Sequence, residues 1–133
     1  MLVLVGKAGV GKSAIRALLA ERLGRPSLGP DDFPGRWDDV FLRLDDSCIL
    51  ECCQIPQRMR ITDADEIIHL TAPTEIQKER LEQQGGLNPL EIARRLIENP
   101  RGDLGYDMDI RPTMTVEVTG TPDEAVAEIV ERL

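Results

Sequence analysis

The sequence predicts an α/β domain, a three-layer α/β/α arrangement around a parallel β-sheet, and two observations carry that expectation. Strand-like apolar runs and amphipathic helical stretches alternate through the whole chain, the pattern of strand-helix-strand crossovers. The first run, Leu2 to Val5, is continuously apolar, as strands buried on both faces are. At 133 residues the chain reads as one domain, long enough to bury a core without a metal or disulfide staple.

Taken in order, the strand at residues 2–5 runs through a glycine-rich turn into a helix from Lys12 to Leu23. Ile15, Leu18, Leu19 and Leu23 form its apolar stripe and Gly24 its stop. "RPSLGPDDFPGRW" has loop chemistry around a short strand at Pro26–Leu28, and "WDDVFLRLDD" reads as a short helix with Val40, Phe41 and Leu44 on one face. "SCILECC" (47–53) and "EIIHLTAP" (66–73) are buried strands. A helix follows, capped by Thr74 with Gln77 at the capping-box position and ended by Gly85 and Gly86. The next helix is N-capped by Asn88 with Pro89 at its first position. After the loop "PRGDLGYDMDIRP", "TMTVEVTG" alternates as a last strand, and "TPDEAVAEIVERL" closes as a capped amphipathic helix.

Composition narrows the function. No apolar run approaches the roughly 18–20 residues of a membrane helix, and nothing resembling a secretory leader precedes the first strand, so a cytoplasmic protein is expected. The net charge of −8, with four aromatic residues in the chain, disfavours nucleic acid as a partner. It leaves room for a small phosphorylated ligand, because arginines focused in a cleft outweigh a distant acidic surface. Cys48, Cys52 and Cys53 have no metal-ligand spacing and read as reduced core thiols.

Residues 6–13, GKAGVGKS, satisfy G-x-x-x-x-G-K-[ST] between a strand and a helix. Glycines let successive backbone N–H groups point at phosphate oxygens, a lysine in this place reaches the β and γ phosphates, and a serine at the helix start can hold Mg²⁺. Gly6, Lys7, Ala8, Gly9, Val10, Gly11, Lys12, Ser13 and Ala14 are therefore the candidate ATP-binding residues. Lys7 leaves a second reading open, a dimerising switch-type NTPase in which that lysine crosses to a partner subunit and no phosphoryl acceptor is used. The oligomeric state, monomer or homodimer, stays open.

With the loop, "PDDF", "ILECC", "EIIHLTAPTEIQKERLEQQG" and "VEVTGTPDEAVAEIVERL", nearly the whole chain resembles the small nucleoside and nucleotide kinase group of P-loop proteins, related to adenylate, shikimate and gluconate kinases. The resemblance implies a P-loop NTPase fold with five parallel strands in 2-3-1-4-5 order. It also implies transfer of the γ-phosphate of ATP-Mg²⁺ to a small acceptor, a nucleoside or nucleotide first of all, and a minimal lid at about residues 83–112.

Asp31 and Asp32, after a Gly-Pro turn, can accept the proton of an attacking hydroxyl or cap a helix. Glu51 is a lone carboxylate in an apolar strand next to the loop. It either faces the cleft, holding Mg²⁺ through water or binding substrate hydroxyls, or sits exposed at the strand's end. The aspartate that usually ends an apolar strand as a second magnesium contact is missing from this sequence. Arginines can neutralise the transferred group: Arg36 and Arg43 flank the substrate helix, Arg58 and Arg60 follow the third strand, and Arg80, Arg94, Arg95 and Arg101 fall near the lid. Arg80 and Arg58 lead, Arg80 as a catalytic residue at the family's "ER" and Arg58 as a dock for substrate. Gly120 and Thr121 sit where such kinases pass the adenine. His69 reads as a structural histidine and Trp37 as a packing residue.

Overall fold

The computed structural model describes residues 1–7, 9–32, 45–53, 55, 60–97 and 111–133, with Asp31 and Ile97 described through their backbone alone. Five strands form one parallel sheet: β1 (Leu2–Val5), β2 (Ser27–Leu28), β3 (Ile49–Cys52), β4 (Glu66–Thr71) and β5 (Met114–Glu117). Their order is β2-β3-β1-β4-β5, the order the resemblance implies. β1 lies in the centre, with Leu4 beside Glu51 of β3 and Ile68 of β4. All four of its residues are buried, which is why its sequence shows no polar alternation. On the edge, β5 alternates buried and exposed residues.

The helices are α1 (Lys12–Leu23), α2 (Thr74–Gln84), α3 (Pro89–Ile97) and α4 (Pro122–Arg132), with a 3₁₀ turn at Pro30–Asp32. Ile15 and Leu19 of α1 and Ile129 of α4 are fully buried against the sheet, each worth about 1.5–3 kcal/mol of apolar transfer. The opposite face carries its own cluster, built on Val3, Val5, Leu50, Cys52 and Ile67. The helix read from "WDDVFLRLDD", the loop at 100–110 and most of residues 83–112 beyond α3 lie outside the described residues.

Caps and bounds follow the sequence with exceptions. Gly24 closes α1 with its N–H on Ala20 O and Glu21 O, Asn88 Oδ1 accepts from Glu91 N at 2.9 Å, and Thr121 Oγ1 accepts from Glu124 N at 3.3 Å. At α2 the cap is Pro73, not Thr74, and no side chain caps it. Gln77 is buried there and donates Nε2 to Ala72 O at 2.6 Å, because the helix begins one residue earlier than the capping box requires. Cys48 and Cys52 are buried thiols, whereas Cys53 is exposed: it follows the last residue of β3, where the sheet has ended.

Met1 belongs to the core. Its ammonium lies 3.1 Å from Asp65 Oδ1, both fully buried, and Asp65 Oδ2 accepts from Thr62 N at 2.8 Å and Thr62 Oγ1 at 3.2 Å. Met1 O accepts from Glu66 N at 3.0 Å, extending the β1–β4 pairing by one bond.

Candidate active site

The site is built where β1 gives way to α1. Gly9 and Gly11 hold φ of +86° and +91°, a conformation that side chains resist, so the chain can curl between strand and helix. A Cβ on Gly9 would stand 2.8 Å from Gln77 O and 3.2 Å from Leu81 Cγ: α2 packs directly on the loop. Gly11 caps α1 without a side-chain bond to its first N–H groups, leaving those donors and the positive helix end for an anion.

Lys12 is buried, and its ammonium donates to Gly6 O at 2.6 Å and Lys7 O at 2.9 Å. The lysine thus spans the loop it serves, with its charge held at the mouth by carbonyls that a phosphate can replace. Lys7 contributes its carbonyl, and Ala8 lies outside the described residues. Ser13 and Ala14 are exposed on the first turn of α1.

Ser13 Oγ donates to Glu51 Oε2 at 3.0 Å. Glu51 is buried on β3, facing the site instead of the solvent. Its other oxygen lies 3.1 Å from Arg16 Nε, an ion pair without hydrogen-bond alignment, so neither atom has a hydrogen-bond partner among the described residues. Arg16 Nη1 reaches Asp32 Oδ2 at 3.4 Å, and that oxygen also accepts from Gly29 N at 2.7 Å. Ser13, Glu51, Arg16 and Asp32 form one chain of contacts. The Ser13 hydroxyl and the Glu51 oxygen it donates to, Oε2, are hard oxygen donors of the kind that suits a divalent cation.

Arg80 sits on α2, just before the segment read as a lid. From α2 it donates to Val10 O at 3.1 Å and Gly9 O at 3.5 Å, and to Val118 O and Gly120 O, both at 3.3 Å. One guanidinium ties the phosphate loop to the turn between β5 and α4, where Gly120 and Thr121 sit. His69 lies half-buried on β4. Arg36, Arg43, Arg58, Arg101 and Trp37 fall outside the described residues, Arg60 is exposed, and Arg94 and Arg95 are exposed on α3. Sequence reasoning passed over Arg16; its signal was its spacing, three residues after Ser13 and four after Lys12, which puts all three near one helix face.

No helix among the described residues is long and apolar enough to cross a membrane. No protein-family model matches the chain, and no curated protein matches it in sequence. Solved structures do match in fold. A gluconokinase from Sinorhizobium meliloti 1021 aligns over 98% of this chain and 89% of its own, at 18% identity and a TM-score of 0.64. A shikimate kinase from Acinetobacter baumannii, solved with shikimate, aligns over 98% and 90% at 20% identity and a TM-score of 0.60. A Mycobacterium tuberculosis APS kinase in complex with AMPPNP and APS aligns over 98% and 95% at 15% identity and a TM-score of 0.52. The likeness is one of architecture, and by it the chain is built on the P-loop kinase fold.

Proposed function

We propose that the protein is an ATP-dependent kinase that moves the γ-phosphate of ATP-Mg²⁺ to a hydroxyl of a small acceptor. The observation that carries this reading is the Lys12 ammonium, buried and held at the loop mouth by Gly6 O and Lys7 O, with Ser13 and Glu51 beside it. Lys12 would exchange those carbonyls for phosphate oxygens, while the loop N–H groups and the start of α1 orient the chain of phosphates. Ser13 Oγ, its proton directed to Glu51, keeps its lone pairs for Mg²⁺, and Glu51 would act on the metal through water. Bound there, Mg²⁺ supplies neutralisation of the charge on the β and γ phosphates. Asp32, about half exposed, would accept the hydrogen of the acceptor hydroxyl, and Asp31 adjoins it in the same turn. Arg36 and Arg58 remain proposed acceptor contacts.

The acceptor reading widens from nucleosides and nucleotides to polyhydroxy acids and sugars. One neighbour is solved with APS, others are a gluconokinase, a sugar kinase and a shikimate complex. The test is ADP release from ATP-Mg²⁺ against nucleosides, nucleoside monophosphates, sugars and hydroxy acids, with Lys12→Ala alongside. Stimulation by one acceptor, lost in the variant, is the expected result. A flat panel with Lys12-dependent hydrolysis overturns the kinase and favours the switch-type NTPase, and no ATP binding overturns both.

A further inference from the structure

We infer that Arg16 is a built-in counter-cation for Glu51 and Asp32, and that it keeps this protein from binding a divalent metal until nucleotide phosphates arrive. Arg16 sits one turn beyond Lys12 on α1, with its guanidinium between two carboxylates: Nε lies 3.1 Å from Glu51 Oε1 and Nη1 lies 3.4 Å from Asp32 Oδ2. The place is made for it. A Cβ on Gly29 would stand 2.7 Å from Arg16 Nη1, so the backbone after β2 packs closely against the guanidinium, and a side chain there would push it aside. Gly29 in turn fixes Asp32 Oδ2 through its N–H at 2.7 Å.

Charge decides the order of events. Arg16 offsets one of the two carboxylates and the Lys12 ammonium stands at the same loop mouth, so too little negative charge is left at the Ser13 side to draw a divalent ion out of water next to resident cations. Phosphate oxygens bring the missing negative charge, so metal and nucleotide enter together. The Glu51 oxygen facing Arg16 has no hydrogen bond among the described residues and is 91% buried with its side chain. Removing Arg16 would uncover a ready carboxylate ligand. Arg16 is thus a positioning residue: it aims Glu51 at Ser13 and sets the metal threshold.

The reading of the loop as an ATP site underlies the role of nucleotide here, so the test uses none. Mn²⁺ is titrated into the ligand-free protein and followed by the loss of its free electron-spin-resonance signal. The wild type is expected to bind weakly, Arg16→Met at least roughly tenfold more tightly, and Arg16→Lys near the wild type. Adding Glu51→Gln to Arg16→Met should remove the gain. An Arg16→Met affinity equal to that of the wild type, a gain shared by Arg16→Lys, or a gain that survives Glu51→Gln overturns the inference. Should Arg16→Met fail to fold, Arg16→Gln carries the same expectations. Failure of ATP to bind in a separate titration would sink the kinase reading and leave these outcomes as they stand.

Discussion

Replacing Arg80 by alanine separates a tether from a catalytic arginine, and the cost can be worked from its four contacts. Gly9 and Gly120 are partly or fully exposed, so water can take over their carbonyls at little loss. Val10 and Val118 are 1% and 3% exposed, and their carbonyls lose the donors at 3.1 Å and 3.3 Å with scant room for water. Each buried acceptor left in that state costs about 1–3 kcal/mol. Taking the low end for both, Arg80→Ala loses about 2 kcal/mol, a fall in Tm of roughly 6–8 °C for a domain of this size. Urea unfolding at pH 7 measures the loss directly. Arg80→Lys, with one ammonium in place of a fork, should recover less than half of it. The alanine variant should also bind ATP more weakly, because the loop loses its brace to the β5–α4 turn. A loss below about 0.5 kcal/mol, within the range of an ordinary surface substitution, would refute the tether and return Arg80 to the role of a free, ligand-directed arginine.

Gly9→Ala should weaken ATP binding by more than tenfold and destabilise the fold by at least about 1–2 kcal/mol, since the new Cβ meets Gln77 O at a φ of +86°. Unchanged affinity by calorimetry would show that the loop adopts another shape when it binds. Asp65→Asn removes the counter-charge of the buried Met1 ammonium and should cost about 3 kcal/mol in urea unfolding; a loss under about 1 kcal/mol would mean that the pair adds little. Burial pushes the Cys52 thiol well above its ordinary value of 9.0, so above about pH 9 the unfolded chain releases a proton that the folded chain keeps. Stability is then full below pH 9 and falls as pH rises, by up to about 1.4 kcal/mol per unit for this thiol. Cys52→Ala should show a shallower fall between pH 9 and 10.5, and equal slopes would refute the account.

Local chemistry was legible in the sequence where one short stretch determines the outcome. The G-x-x-x-x-G-K-S loop contains its own glycines, lysine and serine, and α1 runs from Lys12 to Leu23 as its stripe and Gly24 indicate. What joins distant stretches was not. Whether Glu51 faces the cleft depends on β3 pairing with β1 in the register that sets Leu4 beside it, and no neighbour in sequence encodes that register. Arg16 looks like any helix-surface arginine until β2, β3 and the 3₁₀ turn bring Gly29, Asp32 and Glu51 around it. Arg80 lies 70 residues from Val10 and 38 from Val118, so its partners could not be read from spacing. Cys53 differs from Cys52 only in lying one residue past the end of a strand, a boundary that an apolar run leaves blurred.

The central place of β1 also governs the order in which this fold can be assembled. Its neighbours in the sheet begin at Ile49 and Glu66, so among the described residues of the first 48 no strand pairs with it. Parallel pairing at such separations closes long loops before it returns any contact energy, which slows folding. The glycine loop also leans on α2 through Gln77 and Leu81, beyond both strands. The glycine loop is therefore among the last segments to take its working shape, and the candidate nucleotide site can exist only once more than half of the chain has folded around it.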